Sequence, residues 1–182
     1  MTRFIFTEKP SENPEFPLFS FDIYVTLHKA LNRFPELATV PIHVWIQRKQ
    51  KPLACISIDD DKHDIFLHSV LNHPDTPEQV IEYILIHELI HTRVPSREVN
   101  GIMKIHPPEF FEEEKRLVPE RELYWAWIYI HLNGCIYPDK KHEGTIVKRN
   151  WKKSISGHRL SLEEFKRTFC IEHVLPTKQL LL

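Results

Sequence analysis

The stretch TPEQVIEYILIHELIHTR, residues 76–93, decides the fold. Apolar side chains recur through it at helical spacing, Pro77 suits the first helical position, and Thr76 with Gln79 matches an N-terminal capping box. A proline two residues beyond the stretch prevents the helix from continuing. We therefore predict a helix over about residues 77–92, and its broad apolar surface predicts that it is deeply packed.

The same stretch contains HELIH at residues 87–91, which is the H-E-x-x-H pattern. Residues four apart in a helix lie on one face, so His87 and His91 can bind one metal ion. Glu88 lies near that face, where its carboxylate can reach a water activated by the metal without being a ligand. Because the chain has 12 histidines, the pattern can also arise by chance, with both histidines as ordinary core residues. The well-defined helix favours the metal site.

A third ligand is expected because catalytic zinc usually has three protein ligands. His106 follows His91 by 15 positions, after a loop that contains a proline and the turn pair Asn100-Gly101, and it is the favoured ligand. Three imidazoles predict Zn²⁺, with iron or manganese as alternatives. The acidic run 112–114 is interpreted as a solvated face. A carboxylate ligand is the alternative to His106, and the candidates are Glu109, Glu113, Glu120 and Glu122.

HELIH at 87–91, followed by HPPEF at 106–110, resembles the SprT-like metallopeptidase family, which includes Spartan-type proteases. It is also similar to the related bacterial YgjP-type metal-dependent hydrolases. The resemblance covers about residues 77–111. Pro107 replaces the glycine usual in the family, which would alter the approach to the metal. The chain lacks the cysteine pairs of the zinc ribbon that many members carry, so DNA binding by that route is not expected.

The resemblance implies a zinc-dependent metallopeptidase that hydrolyses peptide bonds in a protein or peptide substrate. Glu88 would be the general base. The implied metal ligands are His87, His91 and His106.

Other activities remain open on the sequence. A catalytically inactive metal-binding or nucleic-acid-associated module and a zinc hydrolase of a non-peptide amide are the alternatives. Glu88 favours an enzyme, because metal binding alone does not need it. An oxyanion donor is expected as well, and each candidate also has an ordinary structural explanation. Those candidates are Arg97, Tyr124 and His131.

The surrounding elements predict an α+β fold with a zincin-like arrangement, in which a small antiparallel sheet packs on the active-site helix with further helices. Three β-rich runs joined by short polar turns predict an antiparallel meander, at residues 42–47, 53–58 and 64–69. Amphipathic spacing, proline and capping signals predict further helices at 20–34, 107–117 and 120–132.

The chain divides into a metallopeptidase domain, residues 1–134, and a C-terminal segment, residues 135–182, packed on it or appended to it. Within the C-terminal segment we predict a strand at 145–149 and a helix that begins at Ser161, with Glu164 completing a capping box. The basic stretch KRNWKK at 148–153 could contact nucleic acid, but a solvated face is favoured. The aromatic residues near the site are interpreted as core and not as a cleft wall; they are Phe110, Phe111, Tyr124, Trp125 and Trp127.

Composition excludes several classes of protein. The net charge of −1 gives no general bias toward nucleic acid or membrane. Neither a signal peptide nor an apolar run long enough to span a membrane is found in the sequence. Three widely spaced cysteines, an odd number, do not form a disulfide framework, so we expect a cytoplasmic protein. The oligomeric state is left open. The cysteines are Cys55, Cys135 and Cys170.

Overall fold

The computed structural model describes residues 3–4, 15–48, 52–99, 101–139, 144–155 and 157–169. Within these ranges the helices are α1 Ile23–Leu31, α2 Glu78–Arg93, α3 Pro108–Leu117, α4 Arg121–His131 and α5 Leu162–Phe169, with short 3-10 helices at Pro35–Leu37 and Trp151–Lys153. The strands are β1 Arg3–Phe4, β2 Ile42–Gln47, β3 Ala54–Ile58, β4 His63–His68, β5 Arg97–Val99, β6 Ile102–Lys104, β7 Ile136–Asp139 and β8 Gly144–Val147. The predicted α+β class is confirmed.

The main sheet has the strand order β1-β3-β4-β2. Strands β3 and β4 pair antiparallel, but β2 pairs with β4 in parallel, so the predicted antiparallel meander is wrong. Strand β4 lies between β2 and β3, which follow one another among the described strands but are not neighbours in the sheet. Every residue of β4 is buried, which is the environment of a central strand covered on both faces.

Two predicted helix starts differ from the structure. Helix α1 begins later than predicted, because Asp22 caps it by accepting hydrogen bonds from the backbone N–H groups of Tyr24 and Val25, at 2.8 and 3.4 Å. The predicted capping box of α2 does not form. The Thr76 hydroxyl instead donates to the carbonyl of Leu71 at 2.7 Å, and no side chain caps the start of α2.

The described part of the C-terminal segment shares the hydrophobic core with the rest of the chain. Phe165 of α5 is fully buried, and the indole N–H of Trp127 on α4 donates to the carbonyl of Leu160 at 2.8 Å. Helix α5 begins as predicted, since the backbone N–H of Ser161 donates to the Glu164 carboxylate at 3.0 Å and the Ser161 hydroxyl accepts from the Glu164 N–H at 3.3 Å. Residues 170–182 of the predicted segment, with Cys170, lie outside the described residues.

Arg159, in the loop before α5, connects this segment to the start of α2. Its side chain is 2% exposed. Its Nη1 donates to the Thr76 hydroxyl and its Nη2 to the carbonyl of Val70, each at 2.7 Å. The hydroxyl that was expected to cap α2 is therefore engaged in a tertiary contact.

The two cysteines in the described ranges, Cys55 and Cys135, are buried and form no disulfide. None of the helices in the described part of the chain combines the length and the apolar composition that crossing a bilayer requires.

Candidate metal centre

Helix α2 is the scaffold of the site because it runs through the hydrophobic core. Most of its 16 residues are buried, including Leu85, Leu89 and Ile90 at 0% exposure. A helix packed this completely has little freedom to shift. It therefore fixes the side chains of His87, Glu88 and His91 relative to one another.

The third histidine reaches the site through a hairpin that was not predicted. The segment after α2 forms the antiparallel pair β5–β6, and Gly101 at its turn has a φ of +78°, a left-handed conformation that glycine adopts without strain. The chain then returns to place His106 directly before α3. Two prolines follow His106, and Pro108 occupies the first position of α3, where a missing N–H costs nothing.

The three histidines converge as predicted. The ring centroids of His87 and His91 are 5.6 Å apart, and the ring of His106 lies 5.0 Å from each of them. One potential ligand atom from each ring lies within 4.8 Å of the others, so the three side chains are close enough to bind one metal ion.

The chemistry of this donor set fits a divalent transition metal. Burial lowers the pKa of His91 well below its usual value, so that ring is neutral, as a ligand must be. Its Nδ1 is buried and has no hydrogen-bond partner among the described residues. Three imidazole nitrogens suit Zn²⁺ and several other metals of this class.

The alternative carboxylate ligands do not join this group within the described ranges. Their partners are arginine or tyrosine side chains instead. Glu109 pairs with Arg97 at 2.5 Å, and Glu120 accepts a hydrogen bond from Tyr124 at 3.3 Å. The two remaining candidates pair with arginines as well: Glu113 with Arg93 and Arg116 at 2.7 Å each, and Glu122 with Arg121 at 3.1 Å.

Glu88 lies between the two histidines of α2 and is 5% exposed. Burial raises the pKa of its carboxyl to about 7, and the neighbouring His87 acts in the opposite direction. A carboxyl group at this position lies beside the histidines and is shielded from bulk water. Such a group can accept a proton and return it during a reaction.

One aromatic ring backs all three histidines. Phe110 of α3 is fully buried, and its ring centroid lies 4.9 Å from that of His87, 4.6 Å from that of His91 and 4.5 Å from that of His106. Packing against a common ring restricts how far each imidazole can turn. The prediction that Phe110 belongs to the core is confirmed, and the same holds for Trp127 at 0% exposure.

Glu114 is a residue of the site that was interpreted as part of a solvated face, and that interpretation is wrong. It is 1% exposed and accepts hydrogen bonds from Tyr83 Oη at 2.8 Å and from Arg121 Nη1 at 2.5 Å; its Oε1 lies 2.7 Å from Nδ1 of His87. Burial alone would raise the pKa of this carboxyl, but its hydrogen bonds and Arg121 hold it below its usual range. A signal was present, because Glu114 follows Phe110 by four positions and so shares its helix face.

The proposed oxyanion donors have other contacts. Arg97 pairs with Glu109, and Tyr124 stacks on Tyr83 with ring centroids 5.5 Å apart. His131 packs between Trp127 and Phe165, at centroid distances of 4.6 and 5.8 Å. None of these contacts is with the three histidines, so the choice of donor stays a prediction.

The basic stretch at 148–153 presents its charges to solvent. Arg149, Lys152 and Lys153 are exposed, whereas Trp151 is partly buried, edge-on to His68 with ring centroids 5.5 Å apart. Exposed cationic side chains fit both a solvated surface and a contact with phosphates, so the interpretation of this stretch stays a prediction.

Comparison of the chain with models of protein families gives no match, and comparison with curated proteins gives none either. The metal centre is therefore interpreted from its own geometry and from the motifs at 87–91 and 106–110. That site combines three converging imidazoles, a buried carboxyl on the same helix as two of them, and a second buried carboxylate behind His87.

Proposed function

We propose that this protein is a zinc-dependent metallopeptidase with a zincin-like arrangement, in which α2 carries the active site. The observation that carries the proposal is the convergence of His87, His91 and His106 beside the buried Glu88. The resemblance of residues 77–111 to SprT-like metallopeptidases favours a peptide bond as the substrate. The two buried cysteines of the described ranges, which form no disulfide, support our further proposal that the protein works in a reducing compartment, the cytoplasm.

His87, His91 and His106 would hold the ion through one ring nitrogen each. When bound, zinc supplies Lewis-acid chemistry, because it polarises a carbonyl group and lowers the pKa of water toward about 7. Glu88 would accept the proton of the attacking water and later deliver it to the leaving amine. Phe110 excludes solvent from the side of the imidazoles that it covers.

The position of Glu88 favours an enzyme over a module that only binds metal. Burial of a carboxyl group costs free energy unless hydrogen bonds or charge partners compensate for it. A buried carboxyl group that the fold does not need is therefore best explained by a function. The metal ligands do not require a carboxyl at this position. A non-peptide amide hydrolase would use the same residues, and the choice of substrate in the assay separates it from a peptidase.

The test compares wild type with Glu88→Gln, and the matched control is Glu82→Gln. Glu82 lies on the same helix but pairs with Arg33 at 2.7 Å, away from the histidines. Each protein is purified without a nickel column, its metal content is measured by elemental mass spectrometry, and cleavage of unfolded proteins and a peptide library is followed by mass spectrometry. We expect equal zinc in all three proteins and a roughly 10²- to 10⁴-fold loss of cleavage in Glu88→Gln alone.

Three outcomes would contradict the proposal. Equal cleavage by wild type and Glu88→Gln would remove Glu88 as the base. Stoichiometric zinc without cleavage of any peptide by wild type would leave the inactive module or, if a small amide is hydrolysed, the non-peptide hydrolase. If wild type binds no metal after reconstitution, the three histidines are ordinary core residues and not metal ligands.

A further inference from the structure

We propose that Glu114 is a positioning residue for the metal centre: by accepting the Nδ1–H of His87, it selects the tautomer in which Nε2 is free to bind the metal. The inference rests on the metal site of the proposed function but not on its peptidase activity. It gives a role to a buried carboxylate that a zinc ligand set alone does not explain.

The contacts of Glu114 join three helices at one side chain. Its Oε1 accepts a hydrogen bond from Tyr83 Oη at 2.8 Å and lies 2.7 Å from His87 Nδ1, both on α2, while its Oε2 accepts from Arg121 Nη1 of α4 at 2.5 Å. The Arg121 side chain is 16% exposed and also pairs with Glu122 at 3.1 Å. Every polar atom of Glu114 therefore has a partner, as a buried carboxylate requires.

The identity of the partners sets the direction of the hydrogen bond to His87. A carboxylate can only accept, so the imidazole must donate through Nδ1. A neutral imidazole carries one ring proton, and a proton on Nδ1 leaves the lone pair of Nε2 free. His87 is thereby prepared for a metal, and its ring is held by a bond on the side opposite the ligand atom.

A glutamine at position 114 reverses this arrangement. Arg121 stays protonated and can only donate, so the amide oxygen of the glutamine must face it. The amide NH₂ group then faces His87, and it is a donor. Nδ1 of His87 can then form a hydrogen bond with the amide only as an acceptor. The ring proton therefore moves to Nε2, which can no longer bind the metal.

The experiment compares wild type, Glu114→Gln and Glu113→Gln. Glu113 is the matched control, because it is the adjacent acid of α3 and pairs with Arg93 and Arg116, not with a histidine. Zinc affinity is measured by competition with a chromogenic chelator. We expect a roughly 10- to 100-fold weaker affinity in Glu114→Gln and no change in Glu113→Gln.

The second readout is the tautomer of His87 in the metal-free protein. Long-range ¹H–¹⁵N NMR of ¹⁵N-histidine protein distinguishes the two ring nitrogens at mildly alkaline pH, and the His87 signals are assigned by their loss in His87→Asn. We expect the proton on Nδ1 in wild type and in Glu113→Gln, and on Nε2 in Glu114→Gln. A merely structural role for Glu114 would not move this proton.

Wild-type affinity in Glu114→Gln overturns the proposal. So does a weaker affinity with the His87 proton still on Nδ1, because Glu114 would then act only through stability. If Glu114→Gln does not fold, the wild-type tautomer still decides: a proton on Nε2 in wild type overturns the proposal. None of these readouts involves peptide cleavage, so an inactive protein with an intact metal site would still support it.

Discussion

Replacement of Phe110 with alanine tests whether one ring supports the whole metal centre. The Phe110 ring is fully buried and lies within 4.9 Å, centroid to centroid, of each of the three imidazoles. Its removal should therefore affect both the stability of the metal-free protein and the affinity for metal. The two effects have different physical causes and can be measured separately.

The loss of stability follows from burial. Removal of a fully buried phenylalanine side chain costs about 3–5 kcal/mol, because the lost transfer free energy adds to that of the cavity. A domain of this kind has a total stability of about 5–15 kcal/mol, so the variant should still fold. The neighbouring Phe111 is 37% exposed, and Phe111→Ala should cost only about 1–2 kcal/mol.

The loss of affinity follows from the freedom that the imidazoles gain. Each ring released from Phe110 must be ordered again on binding, at about 0.5–1 kcal/mol per side chain. For three rings the sum is about 1.5–3 kcal/mol, or a roughly 10- to 150-fold weaker zinc affinity. Of the three imidazoles, the described contacts of Phe111 include that of His106, with ring centroids 6.0 Å apart, so its replacement should change zinc affinity much less.

The stability measurement is urea unfolding in the presence of a chelator, so that bound metal does not contribute to the midpoint. Zinc affinity is then measured by chelator competition under native conditions. If Phe110→Ala destabilises no more than Phe111→Ala, the Phe110 ring is not buried as described. If stability falls by the expected amount but zinc affinity is unchanged, the ring does not restrain the imidazoles.

Two further predictions concern His106 and His68. His106→Ala should lose most of its zinc in elemental analysis, whereas Glu109→Gln should retain it; zinc retained in both would indicate a different third ligand. Burial lowers the pKa of His68 from 6.5 to about 4, and its Nδ1 accepts the N–H of Val70 at 2.9 Å. Between these two pKa values the unfolded state binds a proton at His68 that the folded state does not. The contribution of neutral His68 to the free energy of unfolding is therefore complete above the unfolded-state pKa. It is lost progressively as the pH falls to the folded-state pKa. Between about pH 7 and about pH 5 wild type should lose about 2 kcal/mol more than His68→Asn in urea unfolding, and equal losses would contradict the assignment.

The helices that carry the site could be predicted from sequence to within one residue. Helices predicted at 77–92, 107–117 and 120–132 are Glu78–Arg93, Pro108–Leu117 and Arg121–His131. Their ends depend on prolines and on apolar spacing, which are local in the chain. The convergence of the three histidines was also predictable, because helix geometry fixes two of them.

The remaining features depend on residues that are distant in sequence. The parallel pairing of β2 with β4 could not be inferred from the short connection at 48–53, since a connection of this length can also cross one strand. Glu114 looked like a solvated acid because the groups that bury it, Tyr83 and Arg121, come from two other helices. The capping box predicted for Thr76 does not form, because the Thr76 hydroxyl is bound by Arg159, which follows it by 83 residues.

The contact between Arg159 and Thr76 also bears on how the chain folds during its synthesis. The turn that leads into α2 is completed by a side chain that is made 83 residues later. The indole N–H of the core residue Trp127 likewise donates to the carbonyl of Leu160, which is synthesised 33 residues later. A ribosome that has released the chain only as far as α4 has therefore not yet released the residues that complete this core.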